Sequence, residues 1–200
     1  MFFSDADRRK FIDLVHSYAV RHDSEVLAYC LMTNHVHLVM VPKQQTSLAS
    51  ILKPANRLYS RYVNLIQGWC GRLWQERFYS CPMDAAHTLI AVRYVEQNPV
   101  RAGLVSKAEN YLWSSAAGHA GRRVDPMLSD RHGWLESVGN WAEWLHEQED
   151  SQTLERLRYC TRTGRPLGTA AFVETLEVNL NRPLQARPRG RPAAGHTENV

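Results

Sequence analysis

Residues 31–41 read LMTNHVHLVMV, a short apolar run that contains two histidines separated by one valine. The composition of the run is typical of a β-strand, and residues 25–32 predict the first strand of a hairpin whose second strand covers residues 35–41. Successive side chains of a strand point to opposite faces, so His35 and His37 project from the same side. Imidazole binds several divalent cations, so the pair is a candidate metal site. By itself the spacing also fits two half-buried histidines on a sheet face.

A second informative stretch reads RYVEQNP and covers residues 93–99. Apolar residues at helical spacing precede it, and Asp84 is suited to begin that helix as its N-cap. Pro99 disfavours helical geometry at the residue before it, which predicts a helix end at Asn98. Tyr94 and Asn98 are four residues apart and share a face of the last turn, where carbonyls and partial negative charge favour a cation. The alternative is that Tyr94 packs in the core and Asn98 only caps the helix.

Several sequence blocks together resemble the REP-associated tyrosine transposases, a branch of the single-tyrosine HUH transposases. In chain order they read LMTNHVHLVMVP, GRLWQERF, YVEQNPVRAGLV, YLWSS and RTGRPLG followed by FVETLE. The resemblance extends over nearly the whole chain, from about residue 5 to residue 192. It implies a bacterial DNA transposase, a single-strand endonuclease and ligase that acts at hairpin-forming elements.

The resemblance also implies a role for each candidate site residue. Tyr94 would be the nucleophile, His35 and His37 would be metal ligands, and Asn98 would complete the metal site. Attack by the tyrosine on a phosphodiester would leave a 5′-phosphotyrosine and a free 3′-hydroxyl, so that DNA can be rejoined without ATP. A site of two histidines and an amide has no thiolate, which favours Mg²⁺ or Mn²⁺ over zinc. Tyr18 is the main rival nucleophile, but it lies on the apolar face of the first predicted helix.

The expected fold is α+β, an antiparallel sheet with helices on one face in the ferredoxin-like arrangement of an HUH domain. We expect the catalytic domain over residues 1–110, a helical extension packed on it over residues 111–181, and a basic disordered tail over residues 182–200. Relatives carry a strand before the first helix, which begins here at about residue 5. We therefore expect this first strand to be missing and an edge of the sheet, that of the histidine strand, to be unpaired. The departure predicts either an earlier start or a degenerate copy.

Composition limits the functional classes that the chain fits. Its 200 residues are 44% hydrophobic, which excludes wholesale disorder. No signal peptide or membrane-length apolar run is present, and the four cysteines have no CxxC spacing. These features predict a cytoplasmic protein with reduced thiols and no membrane partner. The resemblance leaves monomer and homodimer open.

Basic residues are concentrated in residues 43–77, where six of them accompany a single acidic residue. A helix over residues 47–67 places Lys53, Arg57 and Arg61 in one stripe, with Tyr59 and Tyr62 on neighbouring faces. The stripe predicts contact with the phosphates and stacked bases of single-stranded or hairpin DNA. The alternative is an ordinary solvated helix face.

The C-terminal part alternates between acidic and basic segments. Residues 125–155 carry eight acidic residues and one basic residue, and their apolar positions predict an amphipathic helix packed on the catalytic domain. Residues 172–180 predict a last helix. Residues 187–192 read RPRGRP and resemble an AT-hook, so Arg189 and Arg191 are expected to contact DNA.

Two other functions remain open at this point. The first is a DNA-binding protein that has lost catalysis. The second is a metal-dependent phosphodiesterase that uses metal-bound water, with Tyr94 incidental.

Overall fold

The structure is a computed structural model that describes residues 1–131, 133, 135–147 and 150–184. The architecture is α+β, as predicted. Within the described residues no helix combines the length and the apolar character that crossing a membrane requires. The elements follow in the order α1 (Asp5–Arg21), β1 (Glu25–Leu31), β2 (Val36–Val41), α2 (Ser47–Gln67), α3 (Ala85–Glu96), α4 (Asn98–Arg101), a 3-10 turn (Ala108–Asn110), α5 (Ala116–His119), a 3-10 turn (Leu135–Ser137), α6 (Trp141–His146), α7 (Ser151–Thr163) and α8 (Ala170–Leu180).

The predicted hairpin is confirmed as an antiparallel pair of β1 and β2. Leu31 N donates to Trp113 O at 2.8 Å, and Ser115 N donates to Tyr29 O at 3.0 Å. The second edge of β1 is therefore covered by the backbone of residues 113–115. The outer edge of β2 pairs with no strand in the described part of the chain, as expected for the histidine strand.

Helices cover both faces of the hairpin, whereas the sequence predicted helices on one face. α3 packs on one face, where Val92 and Val95 are buried. α1 and α2 cover the other face, with Phe11 and Tyr59 in its core. The reason lies in β1, because all seven of its residues are buried. A strand that is apolar on both sides needs a packed layer on each.

The break after α3 differs from the prediction. The helix ends at Glu96, and Asn98 begins the separate turn α4 instead of closing the same helix. Pro99 lies in the first turn of α4, where its missing N–H removes no helical hydrogen bond. The proline is therefore compatible with a new helical turn that begins at Asn98.

The amphipathic helix predicted within residues 125–155 forms only in part. The described residues there form a 3-10 turn and the short helix α6 before α7 begins. Asn140 follows a glycine, and its side chain accepts from Glu143 N at 3.3 Å, which makes it the N-cap of α6. Trp141 and Leu145 of α6 are buried, so the segment packs on the core as expected. The last predicted helix is confirmed as α8.

Candidate functional site

His35 immediately precedes β2 and His37 lies within it, and their rings meet edge to face. The backbone oxygen of His35 accepts from Met32 N at 2.9 Å, which closes the hairpin turn. His37 follows two residues later and faces Cys30 across the hairpin. Because alternate side chains share a face, the ring centroids of His35 and His37 are only 4.9 Å apart.

Both imidazoles are held neutral near neutral pH. Burial, with smaller contributions from His35 and Arg101, lowers the pKa of His37 to about 4. Burial also lowers the pKa of His35. A neutral imidazole keeps the lone pair that a metal ion needs. Asn34 Oδ1 lies 2.8 Å from His35 Nδ1, and this acceptor favours the proton on Nδ1 and leaves Nε2 for a ligand.

Tyr94 lies on α3, and the packing of that helix determines the position of the tyrosine ring. The Asp84 side chain accepts from His87 N at 3.0 Å, so the predicted N-cap is confirmed. Val95 is buried against the hairpin. Tyr94 is half-buried next to it, with its ring centroid 6.1 Å from that of His37. The structure therefore brings the tyrosine and the histidine pair together.

Asp84 also connects the start of α3 to the C-terminal part of the chain. Its Oδ2 accepts from Thr169 N at 2.9 Å. Burial raises the pKa of Asp84, but hydrogen bonds from His87 and Thr169 outweigh burial and hold the pKa below its usual range. The ionised carboxylate is thus the form that the folded protein stabilises.

Asn98 has both of its polar atoms engaged. Its Nδ2 donates to Val95 O at 3.2 Å, which caps the end of α3. Its Oδ1 accepts from Arg101 Nη2 at 3.0 Å. An amide oxygen has two lone pairs, so one hydrogen bond leaves acceptor capacity for a cation.

Two arginines beside Tyr94 were missed by the sequence analysis. The guanidinium carbon of Arg101 lies 4.1 Å from the ring centroid of Tyr94, and that of Arg158 lies 5.8 Å from it. Arg101 also donates to the backbone oxygen of Tyr94. Arg101 lies inside the quoted block YVEQNPVRAGLV, one helical turn from Asn98, and this spacing could have identified it. Arg158 comes from α7, far along the chain, and no local pattern relates it to the tyrosine.

Glu96 anchors α3 on the side away from the site. Its side chain is completely buried. One carboxylate oxygen accepts from Trp141 Nε1 at 2.8 Å. The other accepts from Ser115 Oγ and lies 2.6 Å from His119 Nδ1. Residues after α4 therefore hold the helix that carries Tyr94.

The side chains near Tyr94 offer nitrogen and oxygen donors to a metal ion. No cluster of three His, Cys, Asp or Glu side chains suited to a metal occurs in the part of the chain that the structure describes. The candidate site instead offers the imidazoles of His35 and His37 beside Tyr94, and Asn98 is linked to Tyr94 through Arg101, which contacts both. Two neutral nitrogens and an amide oxygen suit a divalent cation that keeps water or phosphate oxygens as further ligands.

The basic stripe lies in a different layer from Tyr94. Lys53, Arg57 and Arg61 are all exposed on α2, which packs on the face of the hairpin opposite to α3. Tyr59 is completely buried, so the prediction that it stacks on bases is wrong. Its position in the buried row of α2 explains this, because the same row includes Val63. Of the predicted DNA contacts, Arg189 and Arg191 lie outside the described residues.

A cavity of about 480 Å³ lies away from the tyrosine. It is lined by residues 119–121, residues 135 and 136, and residues 138–142, with Asp130. Neither the hairpin nor α3 contributes to its lining. This cavity is therefore separate from the histidines and Tyr94.

Comparison with known proteins indicates a transposase. Residues 1–98, just under half of the chain, match the family model described as "Transposase IS200 like". The matched part contains the hairpin, both histidines, Tyr94 and Asn98, and this part of the chain is similar to the IS200-like transposases. No curated protein and no solved structure matches the chain significantly.

Proposed function

We propose that this transposase nicks and rejoins single-stranded DNA through Tyr94, at hairpin-forming elements. One observation carries the proposal: the ring of Tyr94 lies 6.1 Å from that of His37, which lies 4.9 Å from that of His35. A phenol beside two neutral imidazoles combines a nucleophile with a site for a divalent cation. Within the family we propose the REP-associated branch, because the chain continues well beyond residue 98.

The reaction is a transesterification at phosphorus. Tyr94 Oη forms a bond to the phosphorus, the bond from phosphorus to the 3′-oxygen breaks, and the 3′-oxygen leaves with a proton. The phenol proton passes to solvent. The product is a 5′-phosphotyrosine, and attack of a 3′-hydroxyl on it reverses the step and releases the tyrosine.

We propose that His35, His37 and Asn98 hold Mg²⁺ or Mn²⁺. The bound cation would stabilise the negative charge that develops on the phosphate oxygens. The chain itself keeps both imidazoles unprotonated through burial and holds the Asn98 side chain between α3 and Arg101. These arrangements favour ligands that are ready before the metal arrives.

Binding of DNA is proposed to use surfaces outside the reacting centre. Lys53, Arg57 and Arg61 would contact phosphates of the hairpin at some distance from Tyr94, since α2 lies in the other layer. Arg189 and Arg191 would add affinity from the tail. We propose a catalytic domain over residues 1–110, a helical extension packed on it over residues 111–181 and a basic tail over residues 182–200, in a monomer or a homodimer.

The central experiment traps the covalent intermediate. The full chain is mixed with Mg²⁺ or Mn²⁺ and a pool of single-stranded hairpins with randomised flanks, and the DNA that stays attached after denaturation is sequenced. We expect an adduct whose modified peptide contains Tyr94. Tyr94→Phe should form no adduct yet bind the recovered strand normally, because the ring keeps its packing. Tyr18→Phe is the control and should form the adduct at the parent rate.

The same experiment separates the alternatives. Binding without cleavage by the parent protein would indicate a DNA-binding protein that has lost catalysis. Cleavage that survives Tyr94→Phe would indicate a phosphodiesterase in which water attacks. Either result refutes the proposal for Tyr94.

The metal assignment has its own measurement. His35→Ala and His37→Ala should each reduce Mn²⁺ affinity in titration calorimetry by about 10–100-fold, with a parallel loss of adduct. Asn98→Ala should act in the same direction but less, because water can replace an amide oxygen. Unchanged Mn²⁺ binding in the double histidine variant would contradict the site.

A further inference from the structure

A basic side chain from the C-terminal part of the protein reaches the candidate active site. Arg158 lies on α7, and its guanidinium carbon is 5.8 Å from the ring centroid of Tyr94. The family match ends at residue 98, so this contact comes from outside the matched part. Arg101 approaches the same ring at 4.1 Å. Two positive charges therefore flank one tyrosine.

The position of Arg158 is set by the packing of α7. Asp150 caps the start of the helix through its bond from Thr153 N, and Leu157 and Cys160 are buried in the core. The helix is thus held firmly, with Arg158 on its exposed side.

Arg158 makes no ion pair with a carboxylate of the described residues, unlike several arginines that stabilise the fold. Arg122 pairs with Glu109 at 2.9 Å, and Arg123 pairs with Asp125 at 3.0 Å. Arg156, on the same helix as Arg158, donates to a backbone oxygen. An exposed guanidinium beside a tyrosine ring contributes little to folding stability. Its place is better explained by a ligand of opposite charge.

We propose that Arg158, together with Arg101, binds the phosphate that Tyr94 attacks, an inference that rests on the proposed function. A phosphodiester carries one negative charge, and a guanidinium matches its oxygens with parallel N–H donors. When the bond from Tyr94 to phosphorus forms and the bond to the 3′-oxygen breaks, negative charge grows on the phosphate oxygens. Arg158 would stabilise that charge and then hold the phosphotyrosine diester, which keeps its single negative charge.

Arg101 and Arg158 would contact the phosphate in different ways. Arg101 is fixed by its bonds to Asn98 Oδ1 and to the backbone of Tyr94, so it holds its position before DNA arrives. Arg158 reaches in from another helix, and its long side chain can follow the phosphate as the bond forms. The extension would therefore supply a reacting-centre residue as well as support for α3.

The first measurement is the single-turnover rate of adduct formation on the recovered strand. We expect Arg158→Gln to lower this rate by about 10–100-fold, toward the lower range for losing one charge-stabilising donor. Arg158→Lys keeps the charge without the planar donor pair. Its rate of adduct formation should lie between the rates of the parent protein and of Arg158→Gln. Arg162→Gln, with the same charge change on the same helix, should leave the rate within about twofold. An equal rate for Arg158→Gln and the parent would overturn the inference and leave the proposed function standing.

The second measurement asks whether Arg158 acts on the scissile phosphate itself. In a Tyr94→Phe background, DNA with an ordinary phosphodiester at the cleaved position is compared with DNA carrying a neutral methylphosphonate there. The ordinary strand should bind more tightly, and adding Arg158→Gln should reduce that difference measurably, with the remainder due to Arg101. A difference unchanged by Arg158→Gln would mean that the arginine only packs on the tyrosine, and would refute the inference. Absence of any adduct with the parent protein would refute the proposed function and this inference together.

Discussion

Glu96→Ala should destabilise the protein strongly, because Glu96 is the buried acceptor on which several parts of the fold converge. Its carboxylate accepts from Trp141 Nε1 and Ser115 Oγ and lies against His119 Nδ1. Ser115 and His119 lie at the two ends of α5 and Trp141 begins α6, so these groups belong to two segments that both come after α4. Removing the carboxylate leaves their polar atoms facing a cavity.

The magnitude follows from the groups left without a partner. Trp141 Nε1 and the His119 ring each lose their hydrogen bond to Glu96, at about 1–3 kcal/mol for each buried polar group. Ser115 Oγ loses least, because the Tyr29 carbonyl lies 3.3 Å away as another acceptor. The loss should total about 3–5 kcal/mol, the range for breaking a buried polar pair. For a chain of this size the Tm should fall by about 6–20 °C.

Urea unfolding followed by tryptophan fluorescence and by circular dichroism measures this loss directly. Glu155→Ala is the matched control, because Glu155 is exposed on α7, and it should change the free energy of unfolding by less than about 0.5 kcal/mol. Trp141→Phe removes one of the donors and should cost less than Glu96→Ala. If Glu96→Ala unfolds within about 0.5 kcal/mol of the parent, Glu96 does not anchor α3.

Three further predictions concern other parts of the molecule. Asp84→Ala should cost about 1–2 kcal/mol at pH 7, and because the folded pKa of Asp84 is depressed, this cost should shrink as the pH falls below about 4. Gly168→Ala should destabilise by about 1–3 kcal/mol, because the added Cβ would lie 2.3 Å from one neighbouring side-chain carbon and 2.9 Å from a carboxylate oxygen. Replacing Lys53, Arg57 and Arg61 together with glutamine should lower the log–log salt slope of single-strand binding by about 2 and leave the rate at saturating DNA nearly unchanged.

Each of these predictions has a contrary outcome. A cost of Asp84→Ala that stays constant between pH 7 and pH 3 would mean that the ionised carboxylate is not what stabilises the folded state. An unaltered Tm for Gly168→Ala would mean that the loop before α8 can shift to accommodate the added Cβ without loss of stability. An unaltered salt slope in the triple variant would remove α2 from the DNA-binding surface.

Local sequence patterns predicted the elements that carry the site. The spacing of His35 and His37 needs only the two-residue period of a strand, and the start of α3 needs only the side chain of Asp84. The bounds of α2 were also predicted correctly, because its apolar rows are regular and Gly68 ends it in a left-handed conformation. In each case the information lies within a few residues.

The features that were not predicted depend on residues distant in sequence or on competing local effects. Arg158 reaches Tyr94 only because α7 packs on the core, and no pattern around residue 94 contains that information. The spacing of α2 places Tyr59 on a face next to the basic stripe, but only the packing of α2 on the hairpin shows that this face is buried. α3 ends two residues before the predicted end at Asn98. The reason is that a proline fits the first turn of a new helix as well as the position after a helix end.

The buried carboxylate of Glu96 also has a consequence for the order in which the chain is made. Trp141, which donates to it, is 45 residues further along the sequence. At about 5–20 residues per second, the ribosome needs about 2–9 s to add that distance. During this interval the nascent chain already contains the histidine pair and Tyr94, but Glu96 lacks this donor. Stable docking of α3 should therefore wait for the later segment, so that Tyr94 settles against His37 only after Trp141 has been synthesised.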